Sequence, residues 1–303
     1  MTDRSRAIHY AAGRMPYQSG FASGLFCEKV IVVTGGGSGL GRCIAHELVA
    51  LGARVALVGR TPEKLSRVER ELAAECGEAA SFVCDVRDEG LVVETVTRIV
   101  QRFGRIHGLV NNAGGQFPAL LRDLTLRGWD AVVANNASAS FLVSREVYRQ
   151  SMEAHGGAIV CVGADHELGM PGMGHNGAAR AAQANFVQTA SVEWAHAGVR
   201  VNHVIPGFIA SSGLDAYPES SAGSLRAAAR RIPLKRHGTE AELSAAVVFL
   251  LSPMAAYVTG TTLRVDGGLH NCVGEYYRVP DHDRATRWEG FHLAELPAVL
   301  RGE

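Results

Sequence analysis

Short apolar runs alternate with longer amphipathic stretches along this chain from residue 29 onward. Short runs of β-branched and apolar residues are typical of buried strands, and apolar residues at helical spacing are typical of helices packed on a sheet. Their alternation predicts βαβ units with right-handed crossovers, hence an α/β fold with a single doubly wound parallel sheet and helices on both faces. The predicted strands are Val30–Val33, Arg54–Val58, Ala80–Cys84, Gly108–Val110, Ala158–Val162, Arg200–Ile205 and Thr262–Val265. The predicted helices are Gly41–Leu51, Pro62–Glu75, Glu89–Phe103, Trp129–Ala154, Gly177–Ala195 and Glu240–Leu251.

A glycine-rich segment, Thr34-Gly35-Gly36-Gly37-Ser38-Gly39-Leu40-Gly41, follows the first predicted strand at once. Glycine lets the backbone turn sharply and approach a ligand closely. The unpaired N–H groups in the first turn of the next helix would face a negative charge. Strand, glycine turn and helix together predict a binding site for a diphosphate, at the edge where parallel strands have their carboxyl ends.

Composition narrows the class of protein. The 303 residues are 47% hydrophobic and 20% charged, with 30 basic and 30 acidic side chains, which predicts one globular domain and no affinity for nucleic acid or an anionic membrane. No apolar run approaches the roughly 20 residues of a membrane helix, and the first residues do not resemble a signal peptide, so we expect a cytoplasmic protein. The six cysteines are scattered, which predicts reduced thiols and no metal site. We place the domain at residues 25–270, after an N-terminal extension, 1–24, and before a C-terminal tail, 271–303.

The loops after the next three predicted strands carry side chains that would select a nucleotide cofactor. Gly59-Arg60-Thr61-Pro62 has no acidic residue to hold the free 2′-hydroxyl of NAD(H), whereas Arg60 could pair with a 2′-phosphate. NADP(H) is therefore favoured and NAD(H) remains possible, with a solvated Arg60 as the competing interpretation. Asp85 could accept a hydrogen bond from adenine or cap the next helix, for which Asp88 competes. The segment Asn111-Asn112-Ala113-Gly114-Gly115 is small enough to pass close to a flat cofactor.

These motifs, in this order, resemble the short-chain dehydrogenase/reductase family over roughly Leu25 to Gly268. The matching segments are Thr34-Gly35-x-x-x-Gly39-x-Gly41, Asp85-Val86, Asn111-Asn112-Ala113-Gly114, Arg200-Val201-Asn202, Pro206-Gly207 and Asp266-Gly267-Gly268. The resemblance implies a Rossmann-type fold that binds NAD(P), with the glycine segment at the diphosphate and the Pro206-Gly207 loop over the nicotinamide. The cofactor contacts that it implies are Gly35, Ser38, Gly39, Leu40, Gly41, Arg60, Asp85, Val86, Asn112, Ala113, Gly114, Arg180, Pro206, Gly207 and Ile209.

The catalytic positions of that family are only partly matched. Where the family has Asn, Ser, Tyr and Lys, this chain has Asn136, Ala164, Asn176 and Arg180, with Asn135 competing for the first position. Arg180 stays protonated at ordinary pH, so it can hold ribose hydroxyls or stabilise an oxyanion but cannot relay a proton. An amide at position 176 can donate a hydrogen bond and cannot act as an acid. Such a site suits a reaction whose charge collects on an oxygen that needs only hydrogen bonds.

Three titratable residues in the segment 165–175 are candidates for a substitute proton donor. Asp165 follows the position of the missing serine, His175 precedes that of the missing tyrosine, and His166 is the third. Asp165 would need desolvation to raise its pKa. Structural interpretations compete, with Asp165 capping a turn or pairing with Arg180, and His175 packing at the start of a helix.

A narrower resemblance bears on the substrate. Four segments are similar to the trans-2-enoyl-CoA reductases and related 2,4-dienoyl-CoA reductases: His175–Ala181, Asn111–Phe117, Glu193–Ala195 and Pro280–Asp283. This similarity implies reduction of a 2-enoyl-CoA or a similar conjugated acyl thioester. Two alternatives stay open, a dehydrogenase of an alcohol or ketone such as citronellol and citronellal, and a catalytically silent NAD(P)-binding protein.

Assembly is also implied by the resemblance. Relatives commonly form tetramers through helices that match Trp129–Ala154 and Gly177–Ala195, so we expect a homotetramer or homodimer. The tail carries several aromatic residues that are unfavourable when exposed to water, so we expect it to pack on a neighbouring subunit or over the active site. Its aromatic residues are Tyr276, Tyr277, Trp288 and Phe291.

Overall fold

Seven strands form one parallel sheet in the computed structural model, which describes residues 16–217, 219–272 and 279–301. The strands of the chain are β1 (Val30–Thr34), β2 (Arg54–Gly59), β3 (Glu78–Val83), β4 (Gly108–Asn111), β5 (Gly157–Val162), β6 (Val199–Pro206), β7 (Ile209–Ala210), β8 (Gly238–Thr239) and β9 (Thr262–Val265). The sheet order is β3-β2-β1-β4-β5-β6-β9, and the short strands β7 and β8 pair separately. The predicted doubly wound α/β sheet is confirmed. Strand order reverses between β1 and β4, the position at which such sheets bind ligands.

Helices connect these strands. They are α1 (Gly39–Ala50), α2 (Pro62–Ala74), α3 (Glu89–Phe103), α4 (Leu126–Val133), α5 (Ala139–Val147), α6 (Glu153–His155), α7 (Gly174–Glu193), α8 (Ala222–Arg231) and α9 (Glu240–Leu251). The single helix predicted at Trp129–Ala154 is instead α4, α5 and α6, joined by π-helical turns at Ala134–Ser138 and Tyr148–Met152. Among the described residues, no helix has both the length and the apolar composition needed to span a bilayer.

Both faces of the sheet are buried, which explains the continuous apolar run of β1. Ile31 and Val33 pack with α1, α2 and α9 in one core cluster, and Val30 and Val32 pack with α3, α5 and α7 in the other. Strands covered on both faces need apolar residues at every position, not at alternate ones. The edge strand β3 is only partly buried, and its weaker pattern accounts for the predicted bounds of Ala80–Cys84 being shifted.

The N-terminal extension and the C-terminal tail meet on α1. Tyr17 donates a hydrogen bond to Glu47 at 3.0 Å, and the ring of Phe291 lies 5.9 Å from that of Tyr17. Phe291 is therefore buried against its own chain. Tyr276 and Tyr277 lie outside the described residues. The small cluster formed here contains Tyr17, Cys43, Ala241 and Phe291.

Candidate active site

The glycine segment after β1 forms the tight turn that the sequence predicts. Gly35 and Gly39 have φ of +66° and +50°, in the left-handed region that favours glycine. A Cβ at Gly41 would lie 2.3 Å from the carbonyl oxygen of Gly35, so no other residue fits there without movement. Ser38 stands at the N-cap of α1 and makes no capping hydrogen bond with its side chain. The turn is a cradle of backbone N–H groups at a helix N-terminus, which fits a diphosphate.

The loop after β4 is fastened to this turn. The hydroxyl of Thr34 accepts hydrogen bonds from the backbone N–H groups of Asn112 and Ala113, each at 3.0 Å. Asn112 in turn donates from its side-chain amide to the carbonyl oxygen of Thr34 at 3.0 Å. The two loops predicted to bind the cofactor are therefore one connected unit at the carboxyl edge of the sheet.

Asn136 holds the next part of the same loop. Its fully buried amide donates to the carbonyl oxygens of Gly115 and Val132, both at 2.8 Å, and accepts from the N–H of Gly115 at 3.1 Å. The residue lies in the first π-helical turn, a type of distortion often found at functional sites. In this structure its side chain positions the loop, since both ends of the amide are taken by backbone groups.

Arg180 brings a buried cation to the end of β5. Its guanidinium donates to the carbonyl oxygen of Val162 at 3.0 Å and to Gln183 at 3.1 Å, while Nε has no partner among the described residues. A Cβ at Gly114 would lie 2.7 Å from Nη2, so the glycine makes room for the guanidinium. Burial lowers the pKa of Arg180 to about 10, which still leaves it charged at neutral pH. A buried charge with an unused donor suits a hydroxyl-rich or anionic ligand.

Asn176 and His175 are fully buried at the start of α7. The amide nitrogen of Asn176 lies 3.3 Å from the sulfur of Met170, and its oxygen has no partner within the described ranges. Neither ring nitrogen of His175 makes a hydrogen bond to a described residue, and the ring packs edge-on against Phe117 at 4.7 Å. A buried polar atom without a partner costs about 1–3 kcal/mol, so these atoms are suited to meet polar groups of a ligand.

Asp165 is tied to the loop after β9. Its Oδ2 lies 2.8 Å from His270 Nδ1, and neighbouring Glu167 pairs with Arg264 at 2.6 Å. Burial raises the pKa of Asp165, but the hydrogen bond from His270 and the charges of His270 and Arg264 lower it on balance. The raised pKa that an acid role requires is thus not found, and the partner of Asp165 is His270, not Arg180. His166 bonds through Nδ1 to the carbonyl oxygen of Ala164 at 3.1 Å.

The structure settles which of the two aspartates after β3 caps the next helix, and it pairs the other with Arg87. Asp88, not Asp85, caps α3 by accepting from the N–H of Leu91 at 3.0 Å. Asp85 is held by Arg87, whose Nε lies 2.9 Å from Oδ1, and this hydrogen bond lowers the pKa of the carboxyl. Arg60 is exposed, and its charge acts on Asp85. The sequence singled out Arg60 and missed Arg87, although a basic residue two positions after an acidic one is a local signal.

The loop after β6, which the sequence predicts to cover the nicotinamide, depends on glycines of two motifs. The N–H of Gly207 donates to the carbonyl oxygen of Val265 at 2.9 Å, and a Cβ at Gly207 would lie 2.7 Å from the Cα of Asp266. Pro206 ends β6, and Ile209 is buried in β7. The Pro206-Gly207 and Asp266-Gly267-Gly268 motifs are therefore in contact with each other.

Sequence reasoning missed a second buried histidine in this region. His203 on β6 is fully buried, and its Nε2 lies where a Cβ on Gly163 would be only 2.0 Å away. Burial, with the charges of Arg180, His166 and Arg264, lowers the pKa of His203 to about 3. The available signal was a polar residue inside an otherwise apolar strand.

Comparisons with known proteins identify oxidoreductases as relatives of this chain. A family model described as enoyl-(acyl carrier protein) reductase matches residues 35–270. A 2-(S)-hydroxypropyl-CoM dehydrogenase of Xanthobacter autotrophicus is 36% identical over 80% of this chain and 96% of its own. A peroxisomal 2,4-dienoyl-CoA reductase of Mus musculus is also 36% identical, over 83% of this chain and 87% of its own.

A solved structure shows higher identity. The citronellol catabolism dehydrogenase of Pseudomonas aeruginosa PAO1 is 50% identical, with a TM-score of 0.76, and the match covers 84% of this chain and 99% of that one. The glycine turn, the parallel sheet and these matches lead to one assignment. This chain is a member of the short-chain dehydrogenase/reductase family of NAD(P)-binding oxidoreductases.

Proposed function

We propose that this oxidoreductase uses NADP(H) to reduce a 2-enoyl-CoA or a similar conjugated acyl thioester. The observation that carries the proposal is the pair Asn176 and Arg180 at positions where the family has Tyr and Lys. Both side chains are buried, at 1% and 6% exposure, and neither can supply a proton at neutral pH. Reduction of a ketone needs its alkoxide protonated, whereas reduction of a conjugated thioester leaves its charge on an enolate oxygen.

The buried groups fit stabilisation of such an enolate. When bound, the reduced cofactor supplies a hydride to the β-carbon, and the electron pair of the double bond moves to the thioester oxygen. The amide of Asn176 can donate a hydrogen bond to that oxygen, and Arg180 provides a fixed positive charge. The α-carbon then takes a proton from His175 or from water, since the lowered pKa of Asp165 keeps that carboxyl ionised at neutral pH.

An apolar rim fits the chain of an acyl substrate. Phe117 and Leu121 are 42% and 70% exposed, and Leu168, in the loop between β5 and α7, is 59% exposed. The N–H of Ala119 donates to the carbonyl oxygen of Gly172 at 2.8 Å, which joins the segment of Phe117 to the segment before α7. Exposed apolar side chains grouped beside buried polar ones are typical of a ligand-binding surface.

The second candidate is an alcohol dehydrogenase. It is favoured by the 50% identity to a protein described as a citronellol catabolism dehydrogenase. The same apolar rim would accept a terpenoid chain, and His175 would then have to act as base. Arg60 favours NADP(H) for either reaction, because it is exposed at the end of β2 where a 2′-phosphate would lie.

One experiment separates the candidates. Oxidation of NADPH is followed by absorbance with crotonyl-CoA and a longer 2-enoyl-CoA, and reduction of NADP⁺ is followed with citronellol. The proposal expects turnover with a thioester only. Turnover with citronellol alone assigns the alcohol dehydrogenase, and binding of NADPH without turnover in either assay assigns a silent cofactor-binding protein.

We also infer that the chain assembles as a homotetramer or homodimer through the face of α5 and α7. Phe141 on α5 is 42% exposed and contacts Phe186 on α7 at 6.0 Å between ring centroids. Val192 on α7 is 77% exposed. Light scattering during size-exclusion chromatography tests this, and Phe141→Glu should yield monomers if this face is the interface.

A further inference from the structure

Two histidines and a glutamate from three distant segments meet on α1, away from the cofactor site. His46 lies on α1, Glu75 follows α2, and His292 belongs to the C-terminal tail. One nitrogen or oxygen atom from each lies within 4.8 Å of the others. Glu75 Oε1 is 3.0 Å from His46 Nδ1 and 2.9 Å from His292 Nε2. Because α1 starts at the carboxyl edge of β1, its second half, which carries His46, is directed away from that edge.

The three side chains are well shielded from solvent. Exposure is 0% for His46, 13% for Glu75 and 14% for His292. The second oxygen of Glu75, Oε2, is buried and has no hydrogen-bond partner in the described part of the chain. A buried carboxylate oxygen without a partner is expensive, and a cation is the group that would satisfy it.

The other nitrogen of His46 is already directed at a carboxylate. Nε2 lies 3.3 Å from Glu71 Oε2, and Arg42 holds Glu71 with two hydrogen bonds of 2.7 and 3.0 Å. With Nε2 protonated toward Glu71, Nδ1 would present a lone pair toward Glu75 Oε1, and a cation between the two atoms would be bound by both. A histidine whose outer N–H donates to a carboxylate is the usual arrangement of a metal ligand.

We propose that His46 Nδ1, Glu75 and His292 Nε2 bind a divalent transition-metal ion, with zinc as the best match. Two imidazoles and a carboxylate are ligands that zinc takes readily. Ligand bonds of about 2.0–2.2 Å in a tetrahedral site separate neighbouring ligand atoms by about 3.3–3.5 Å, so the present spacing needs to open by only a few tenths of an ångström. Glu75 Oε2 or a water would complete the coordination.

The ion would fasten the C-terminal tail to the domain. Residue 292 follows Phe291, whose ring is buried beside Tyr17 and lies 5.2 Å from the ring of His46. Apolar packing and metal coordination would thus act on neighbouring residues of one segment. The role is structural, because the proposed site does not border the glycine turn or Arg180.

The test uses the full chain without a histidine tag, stripped of metal with a chelator. Zinc content is measured after dialysis, zinc affinity by calorimetry, and coordination geometry from the visible spectrum with Co²⁺. The variants are Glu75→Gln and His292→Gln, which keep approximate side-chain size, and Glu71→Gln for the supporting carboxylate. His196→Gln removes an exposed histidine elsewhere and is the matched control.

The proposal expects one zinc per chain, a tetrahedral Co²⁺ spectrum, and a melting temperature several degrees higher with zinc than without. Glu75→Gln and His292→Gln should each weaken binding at least tenfold, Glu71→Gln about tenfold, and His196→Gln should bind as the parent does. The melting curves of the metal-free variants show whether each is folded. Absence of stoichiometric zinc in the parent, or equal affinity in the folded Glu75→Gln and His292→Gln variants, would show a hydrogen-bonded cluster without metal and overturn the proposal.

Discussion

Mild acid should destabilise this protein through His203. The ring lies inside the sheet on β6, fully buried, with Thr262 Oγ1 at 3.5 Å from Nδ1 and no partner for Nε2 in the described ranges. Burial is the largest cause of its low pKa, and the charges of Arg180, His166 and Arg264 lower it further, to about 3. In the unfolded chain the same ring has an ordinary pKa of about 6.5.

The sign follows from which state takes up the proton. Above about pH 7.5 the ring is almost wholly neutral in both states, so His203 does not make stability depend on pH there. Between about pH 6.5 and about pH 3, His203 is protonated in the unfolded chain but not in the folded chain. The free energy of unfolding therefore decreases as the pH falls through this range. The loss is about 2 kcal/mol at about pH 5, and it approaches about 5 kcal/mol near pH 3.

Urea unfolding at about pH 7.5 and about pH 5 measures the effect. We compare the parent with His203→Gln, which has no charge to gain, and with His196→Gln, whose exposed ring should not matter. Each protein is compared with itself at the two pH values, so contributions from other titrating groups cancel between variants. The parent and His196→Gln should lose about 2 kcal/mol more than His203→Gln. An equal loss in all three would refute the buried, neutral state of His203.

Three further predictions concern the cofactor and the proton. Gly41→Ala should destabilise the fold by about 1–3 kcal/mol and weaken NADPH binding in a fluorescence titration, because its Cβ would lie 2.3 Å from a backbone oxygen. The control Gly223→Ala in α8, whose Cβ would meet no atom outside its own helix within 4 Å, should leave NADPH binding unchanged and should not destabilise the fold. Arg60→Ala should weaken NADPH about tenfold and leave NADH unchanged; an equal change in both would exclude a 2′-phosphate contact. His175→Ala should lower kcat with a 2-enoyl-CoA by about a hundredfold or more while Asp165→Asn stays near the parent, and full activity in both variants would assign the proton to water.

The backbone geometry of the glycine turn and the loop after β4 was largely predictable because its signals are local. Gly35 and Gly39 need positive φ within one turn, and strand, turn and helix are consecutive in the chain. The parallel order of the sheet then brings the loop after β4 to the same edge, where Thr34 and Asn112 bond to each other's backbone. Periodicity fixes the elements, and the βαβ rule fixes their side of the sheet.

The chemical half was less predictable because its determinants lie far apart in the chain. Asp165 pairs with His270 across 105 positions, and no local pattern connects the two. That contact decides the direction in which the pKa of Asp165 moves. The π-helical turn that directs Asn136 toward Gly115 is likewise a tertiary effect, since the sequence around it has ordinary helical periodicity.

Under the proposed function, Arg180 would stabilise an enolate better than it would serve an alkoxide. Its guanidinium donates a hydrogen bond to the carbonyl oxygen of Val162 and remains cationic at neutral pH. Its positive charge therefore stays in place throughout the reaction and is not lost by proton transfer. His203, whose pKa is lowered to about 3 in part by the charge of Arg180, is neutral at neutral pH and adds no second positive charge. A permanent positive charge, together with the amide of Asn176, lowers the energy of an oxyanion without protonating it. An enolate can then be protonated on its α-carbon by a different donor. An alkoxide must be protonated on its oxygen, beside Arg180 and Asn176, and neither of these side chains can donate a proton at neutral pH.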